Sequence, residues 1–173
     1  MPRNSPAALL ALLLFAAPFS CTATSQPAQR YPAMVSHGNT YQNSCSPSER
    51  RQLRATLSAK KIADRAQLWK IIDVLLCADP NPATNRYIAN SMETKVAENH
   101  EGTGQDPHVA VMSRSTEAAQ SLLASRSVWD AAIVVDLDGV RVHYRSDEVC
   151  VTGRKLRHAH GRWRIFEVGQ ACD

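Results

Sequence analysis

Long apolar runs are nearly absent from this sequence. Of its 173 residues only one stretch, residues 7–17 (AALLALLLFAA), is continuously apolar, and it is too short to cross a bilayer as a helix. A polytopic membrane protein is therefore excluded. Neither C-x-x-C nor any other zinc-module spacing occurs, which removes a zinc ribbon. The chain also lacks heptads, collagen-like glycine periodicity and internal repeats. Excess charge is small: 20 Lys and Arg stand against 16 Asp and Glu, a formal +4. Loss of Arg3 with an export signal would leave 19 against 16, or +3, far from the footprint of a nucleic-acid binder. What remains is ordinary globular composition, 44 % hydrophobic and 21 % charged, with length for a single domain.

The apolar run follows Arg3 and fits the core of a signal peptide. Cys21, Thr22 and Ala23 suit cleavage after Ala23, so residues 1–23 are expected to be removed. Residues 24–45, rich in Ser, Thr, Gln, Asn and Pro, read as a flexible leader. Residues 46–173 form the expected single domain, located in the periplasm or secreted. A lipoprotein signal with Cys21 lipidated is the alternative, and only then is a membrane a partner.

Four further cysteines, Cys45, Cys77, Cys150 and Cys172, form an even set in an exported chain and read as two disulfides. Three pairings are open. Cys45–Cys77 and Cys150–Cys172 are favoured, because a helix ending at Cys77 follows the segment holding Cys45. The other pair lies on strands that a hairpin brings together.

Ser46-Pro47-Ser48-Glu49 is a helix start with the residues of a capping box. A second helix is expected over residues 62–77, where Leu68, Ile71, Ile72, Leu75 and Leu76 make a wide apolar stripe. Asp79-Pro80-Asn81-Pro82 stops it. A third is expected over 83–99 through Tyr87, Ile88, Met92 and Val96, then a polar loop over 98–113 and a short helix over 116–125. From Val128 the texture becomes β-branched, with Asp138-Gly139 as a two-residue hairpin turn and RHAHG at 157–161 as another. Helices followed by four antiparallel strands give an α+β fold: N-terminal helices packed on a curved, four-strand antiparallel sheet, disulfide-bonded.

The run VDLDGVRVHYRSDEVCVTGRKL, followed by a closing strand of Gly161-Arg162-Trp163-Arg164-Ile165, resembles the NTF2-like (SnoaL-like) α+β cone fold over roughly residues 62–169. The resemblance implies a curved sheet around helices and a pocket that is catalytic in some members and a binding surface in others. No family catalytic residue transfers by position.

Catalytic patterns do not assemble in the sequence. Ser58 and Lys61 match S-x-x-K without its partner motifs, and no G-x-S-x-G occurs. His158 and His160 stand among Arg and Lys whose charge opposes a metal. His100, Glu101, Asp106 and His108 lack H-E-x-x-H spacing. Asp136, Asp138 and His143 could form an acid–base pair, but the turn itself demands Asp-Gly. The three Trp read as core. Candidate binding residues are Arg154, Lys155, Arg157, Arg162 and His143, a basic cluster suited to an anionic partner surface.

The expected function is that of an exported, non-catalytic binding protein of the cell envelope with a protein partner, such as an inhibitor or immunity-type protein against a toxin or wall hydrolase. An NTF2-like small-molecule binder or enzyme with an apolar pocket is the alternative, and a lipid-anchored envelope assembly component is a third. Neither metal nor cofactor nor nucleic acid is expected.

Overall fold

The computed structural model describes residues 45–102 and 105–173. The signal, its cleavage site, Cys21 and the leader up to residue 44 lie outside the described residues.

Helix α1, Pro47–Ser58, starts where its capping residues put it: the Ser46 hydroxyl accepts from the Glu49 N–H and the Glu49 carboxylate accepts from the Ser46 N–H. Helix α2, Arg65–Cys77, buries Leu68, Ile71, Ile72, Leu75 and Leu76. Helix α3, Pro82–Ser91, begins on Asn81, whose side chain accepts from Ala83 and Thr84. It ends well short of the expected residue 99. Met92–Gly102 is a strand, β1, and Gln105–Ser113 pairs with it as β2. Helix α4, Thr116–Ala124, follows, then β3 (Ala132–Val135), β4 (Val140–Arg145), β5 (Cys150–Ala159) and β6 (Arg162–Cys172).

The sheet therefore has six strands, not four, in the order β2-β1-β6-β5-β4-β3. It is mixed, because β1 runs parallel to β6 while every other pair is antiparallel. The expected helix over 83–99 failed for a definable reason. Ile88, Met92 and Val96 are four apart, and that spacing satisfies both a helical face and alternate positions of a strand. Ladders to β2 and β6 decide the matter for Met92 onward, overriding the helix preference of Glu, Lys and Ala. The loop expected over 98–113 is mostly β2, an edge strand whose Val109 and Val111 face solvent.

Leu53, Leu57, Leu76, Ile88 and Leu123 from the helices meet Val96, Val142, Leu156, Ile165 and Val168 from the sheet in one buried cluster. Trp163 anchors the sheet to α2: its indole N–H donates to the Ala63 carbonyl at 2.7 Å and its backbone N–H to the Gln67 side chain at 2.8 Å. Cys45 is bonded to Cys77 and Cys150 to Cys172, with Cα–Cα separations of 4.9 and 4.1 Å. Two disulfides belong to a protein that folds in an oxidising compartment. Among the described residues no helix is long and apolar enough to cross a membrane.

The β3–β4 turn spans Asp136 to Gly139, closed by the Asp136 N–H donating to the Gly139 carbonyl at 2.9 Å. Gly139 has φ +153°, and a β-carbon there would overlap the Leu156 carbonyl oxygen. Gly139→Ala should therefore cost about 1–3 kcal/mol, because a backbone neighbour cannot step aside. Urea unfolding of the variant beside wild type measures this; an unchanged midpoint would show that the turn relaxes freely. The β5–β6 turn is narrower than the expected 157–161. His160 and Gly161, both at positive φ, are its two central residues.

Candidate functional site

Side chains alternate between sheet faces, so neighbours in sequence part company. Arg154 points to the helices, whereas Lys155 points outward and pairs with Glu167 at 2.5 Å. The basic cluster read from the sequence is thus three separate places. Arg154 is internal. His143 and Lys155 share a shallow depression on the outer face with Arg141 and Glu167. Arg157 and Arg162 line a cleft at the end of the sheet near the β5–β6 turn.

The inner face carries the most polar interior of the described residues. Register places Glu98, Val168 and Arg154 in one row across β1, β6 and β5, and His100, Gln170, Thr152 and Tyr144 in the next. Ser121, Leu122 and Ser125 of α4 and its C-terminal end cover part of these rows. Between them lies a cavity of about 190 Å³. Liquid water would fill that space with about six molecules. Ser121, Ser125 and His100 are exposed, so they stand at its mouth, while Arg154 lies beneath with 4 % exposure.

Arg154 donates through Nη1 to the Gly153 carbonyl at 2.9 Å and through Nη2 to the Ser125 hydroxyl at 3.0 Å and the Tyr144 hydroxyl at 3.2 Å. Its Nε is buried with no hydrogen-bond acceptor among the described residues. Nor does any carboxylate there form an ion pair with it. Burial lowers the guanidinium pKa; Tyr144 and then Glu98 oppose that shift. A guanidinium still holds its proton at neutral pH. A buried cation with no carboxylate bonded to it is unusual, because a buried charge is normally paired or coordinated; the Tyr144 ring, 5.8 Å from the guanidinium, is its main neighbour. Opposite it, the Glu98 carboxylate and the His100 ring are hydrogen-bonded at 3.1 Å. The cavity therefore has a cationic end and a carboxylate–imidazole end. Strand spacing of about 4.8 Å sets the two ends roughly 10 Å apart at the backbone, with side chains shortening the gap.

The Asp136–His143 pair weighed from sequence is not formed. Asp136 is taken by Arg141 at 3.2 Å, and no hydrogen bond joins His143 to either turn aspartate among the described residues. Burial, then the Arg141 charge, lower the His143 pKa from its ordinary 6.5, with Asp136 partly offsetting them. Because the folded pKa lies below the unfolded one, the unfolded chain binds the proton first. Stability is thus retained above about pH 6.5 and falls as pH drops toward the folded pKa. His143→Gln should flatten stability between about pH 5 and 7. Thermal melts of both proteins across that range test this, and parallel curves would rule His143 out as the cause.

His158 packs edge-on against Trp163 on the sheet, 5.5 Å between ring centres, rather than beside a second ligand. Among the described residues no group of three or more His, Cys, Asp or Glu could hold a metal ion. The side chain of Asp106 lies outside the described residues. Glu98 and Arg154 were not paired in the sequence reading. Only the register, which puts residues 98 and 154 in one row across three strands, could have joined them.

No protein-family model matches the chain, and no curated protein matches it significantly. Solved structures do show similarity. An NTF-2 like protein of unknown function from Silicibacter pomeroyi aligns at 12 % identity and TM-score 0.35, covering 75 % of this chain and all of that one. An NTF2-like protein with a cystatin-like fold from Novosphingobium aromaticivorans aligns at 12 % identity and TM-score 0.35, covering 70 % and 88 % respectively. A DUF4783 family protein from Bacteroides fragilis aligns at 11 % and 0.34, covering 60 % and 95 %.

Proposed function

We propose that this is an exported binding protein that takes a small carboxylate ligand in the cavity between α4 and the sheet. One observation carries the reading: Arg154 is buried and charged, no carboxylate is bonded to it among the described residues, and two of its five N–H groups, on Nε and Nη1, are left to spare. A carboxylate reaching Arg154 would neutralise it and accept from Nε, removing both costs at once. Glu98 and His100 at the other end suit a hydrogen-bond donor or a cationic group, so a small zwitterion of amino-acid size fits the ends and the volume. The apolar export-type run at 7–17 and the two disulfides support an exported setting.

Isothermal titration of the oxidised protein against acetate, succinate, alanine and inorganic phosphate tests the reading. A carboxylate should bind with a Kd of about 1 mM or tighter, roughly 4 kcal/mol. Silence from every carboxylate, or binding that survives loss of Arg154, overturns it.

A protein partner, of the inhibitor or immunity type aimed at a toxin or wall hydrolase, is the second reading. It is favoured by a different feature, the basic cleft at the end of the sheet.

A further inference from the structure

We propose that this cleft docks an acidic, extended segment of a partner protein. It encloses about 680 Å³ and lies between the start of β1 and the β5–β6 hairpin. Lys95, Arg114, Arg157, Arg162 and Arg164 line it, against the single carboxylate of Glu93. Five cations against one anion leave an excess of four. Without Arg3 the formal charge is 19 minus 16, or +3, so the rest of the mature chain sums to −1. Such a concentration of one sign in a concave site attracts an oppositely charged partner and speeds its arrival.

The geometry shows which anion fits. Arg157 already grips Glu93 through Nε and Nη2, both at 2.6 Å, a two-pronged grip on a carboxylate. Arg164 is held by the Asn90 carbonyl. Lys95, Arg114 and Arg162 make no ion pair among the described residues, and all three are exposed. The parallel ladder between β1 and β6 changes register between Met92 and Ala97, so β1 bulges against β6 beside the cleft. An extended chain with alternating carboxylates can set them one after another against these cations.

Other occupants fit less well. None of the exposed large apolar side chains, Val109, Val111, Leu137, Val149 and Val151, lines the cleft, which gives a bilayer nothing to hold. No Phe, Tyr or Trp lines it either, and the single imidazole of His160 is no platform for successive bases of a nucleic acid. Residues 24–44 contain no Asp or Glu, so this chain's own leader cannot supply the charge.

The test is fluorescence anisotropy of a labelled hexaglutamate peptide with the oxidised mature chain. Binding should weaken several-fold between low and physiological salt. Reversal of Lys95, Arg114 and Arg162 to Glu should weaken it by at least about tenfold, as the loss of three close charges predicts. The same charge change placed elsewhere, as Arg51→Glu, Arg54→Glu and Lys61→Glu on exposed positions, should leave affinity within about threefold. Equal loss in both variants would overturn the assignment to the cleft. So would binding of phosphatidylglycerol vesicles or polyphosphate in preference to the peptide. Arg154→Met should leave peptide binding intact, which separates failure here from failure of the cavity reading.

Discussion

Arg154→Met is expected to leave a folded domain that no longer responds to its carboxylate ligand. Two effects on stability oppose each other. Removing a buried, unpaired cation relieves a desolvation cost, and replacing buried charge by an apolar side chain is often neutral or favourable. Against this, the Tyr144 hydroxyl, on a side chain only 2 % exposed, loses its Arg154 partner. An orphaned buried hydroxyl costs about 1–3 kcal/mol. The two are of similar size, so the urea midpoint should move by no more than about 1 kcal/mol. Ligand binding has no such compensation. Two charge-assisted hydrogen bonds at about 1.5–3 kcal/mol each make the loss at least about 100-fold. The cleanest readout is linkage: ligand at 100 times its Kd should stabilise wild type by about 2.7 kcal/mol and the variant by almost nothing. A variant stabilised as much as wild type would place the ligand elsewhere.

The second large effect concerns the bridge between β5 and β6. Cys150 faces Cys172 across the ladder, as Thr152 faces Gln170 and Arg154 faces Val168. These pairs succeed one another at intervals of two on the same face, so the bridge closes the sheet directly beside the cavity wall. Replacing both cysteines by Ser opens a loop of sequence separation 22 and should cost about 3 kcal/mol through the added freedom of the unfolded chain. It should also weaken the ligand, since β5 and β6 can then part where Thr152 and Gln170 line the cavity. Loss of Cys45–Cys77, with sequence separation 32, should cost a similar amount of stability. That pair ties the α1 entry to the end of α2, and neither cysteine lines the cavity or sits on its strands, so ligand affinity should stay near wild type. Denaturant titrations with ligand titrations on the two double variants separate these outcomes. An equal affinity loss in both would mean that global loosening, not the local wall, sets binding.

Local chemistry made much of this molecule legible. Ser46 and Glu49 write their capping box into four residues, and the stripe of Leu68, Ile71, Ile72, Leu75 and Leu76 could only be a buried helical face. The Gly161-Trp163-Ile165 strand and the alternation of Val140, Val142 and Tyr144 likewise act over a few residues. Each of these patterns is complete within one element or hairpin, so sequence by itself determined it, whereas the cysteine pairing stayed open among three choices until the fold brought Cys45 to Cys77 and Cys150 to Cys172.

Tertiary structure decided the rest, because the deciding contacts join distant segments. Met92 and Val96 satisfy both periodicities, and only pairing with β6, some seventy positions later, makes them a strand. That choice also creates the site. Without β1 in the sheet, Glu98 has no row to share with Arg154, the ladder has no change of register between Met92 and Ala97, and the cleft has one wall. The basic cluster at 154–164 looked like one surface because it is contiguous in sequence. Strand alternation turns Arg154 inward and Lys155 outward, and the cleft then borrows Lys95 and Arg114 from the β1–β2 hairpin to complete its charge.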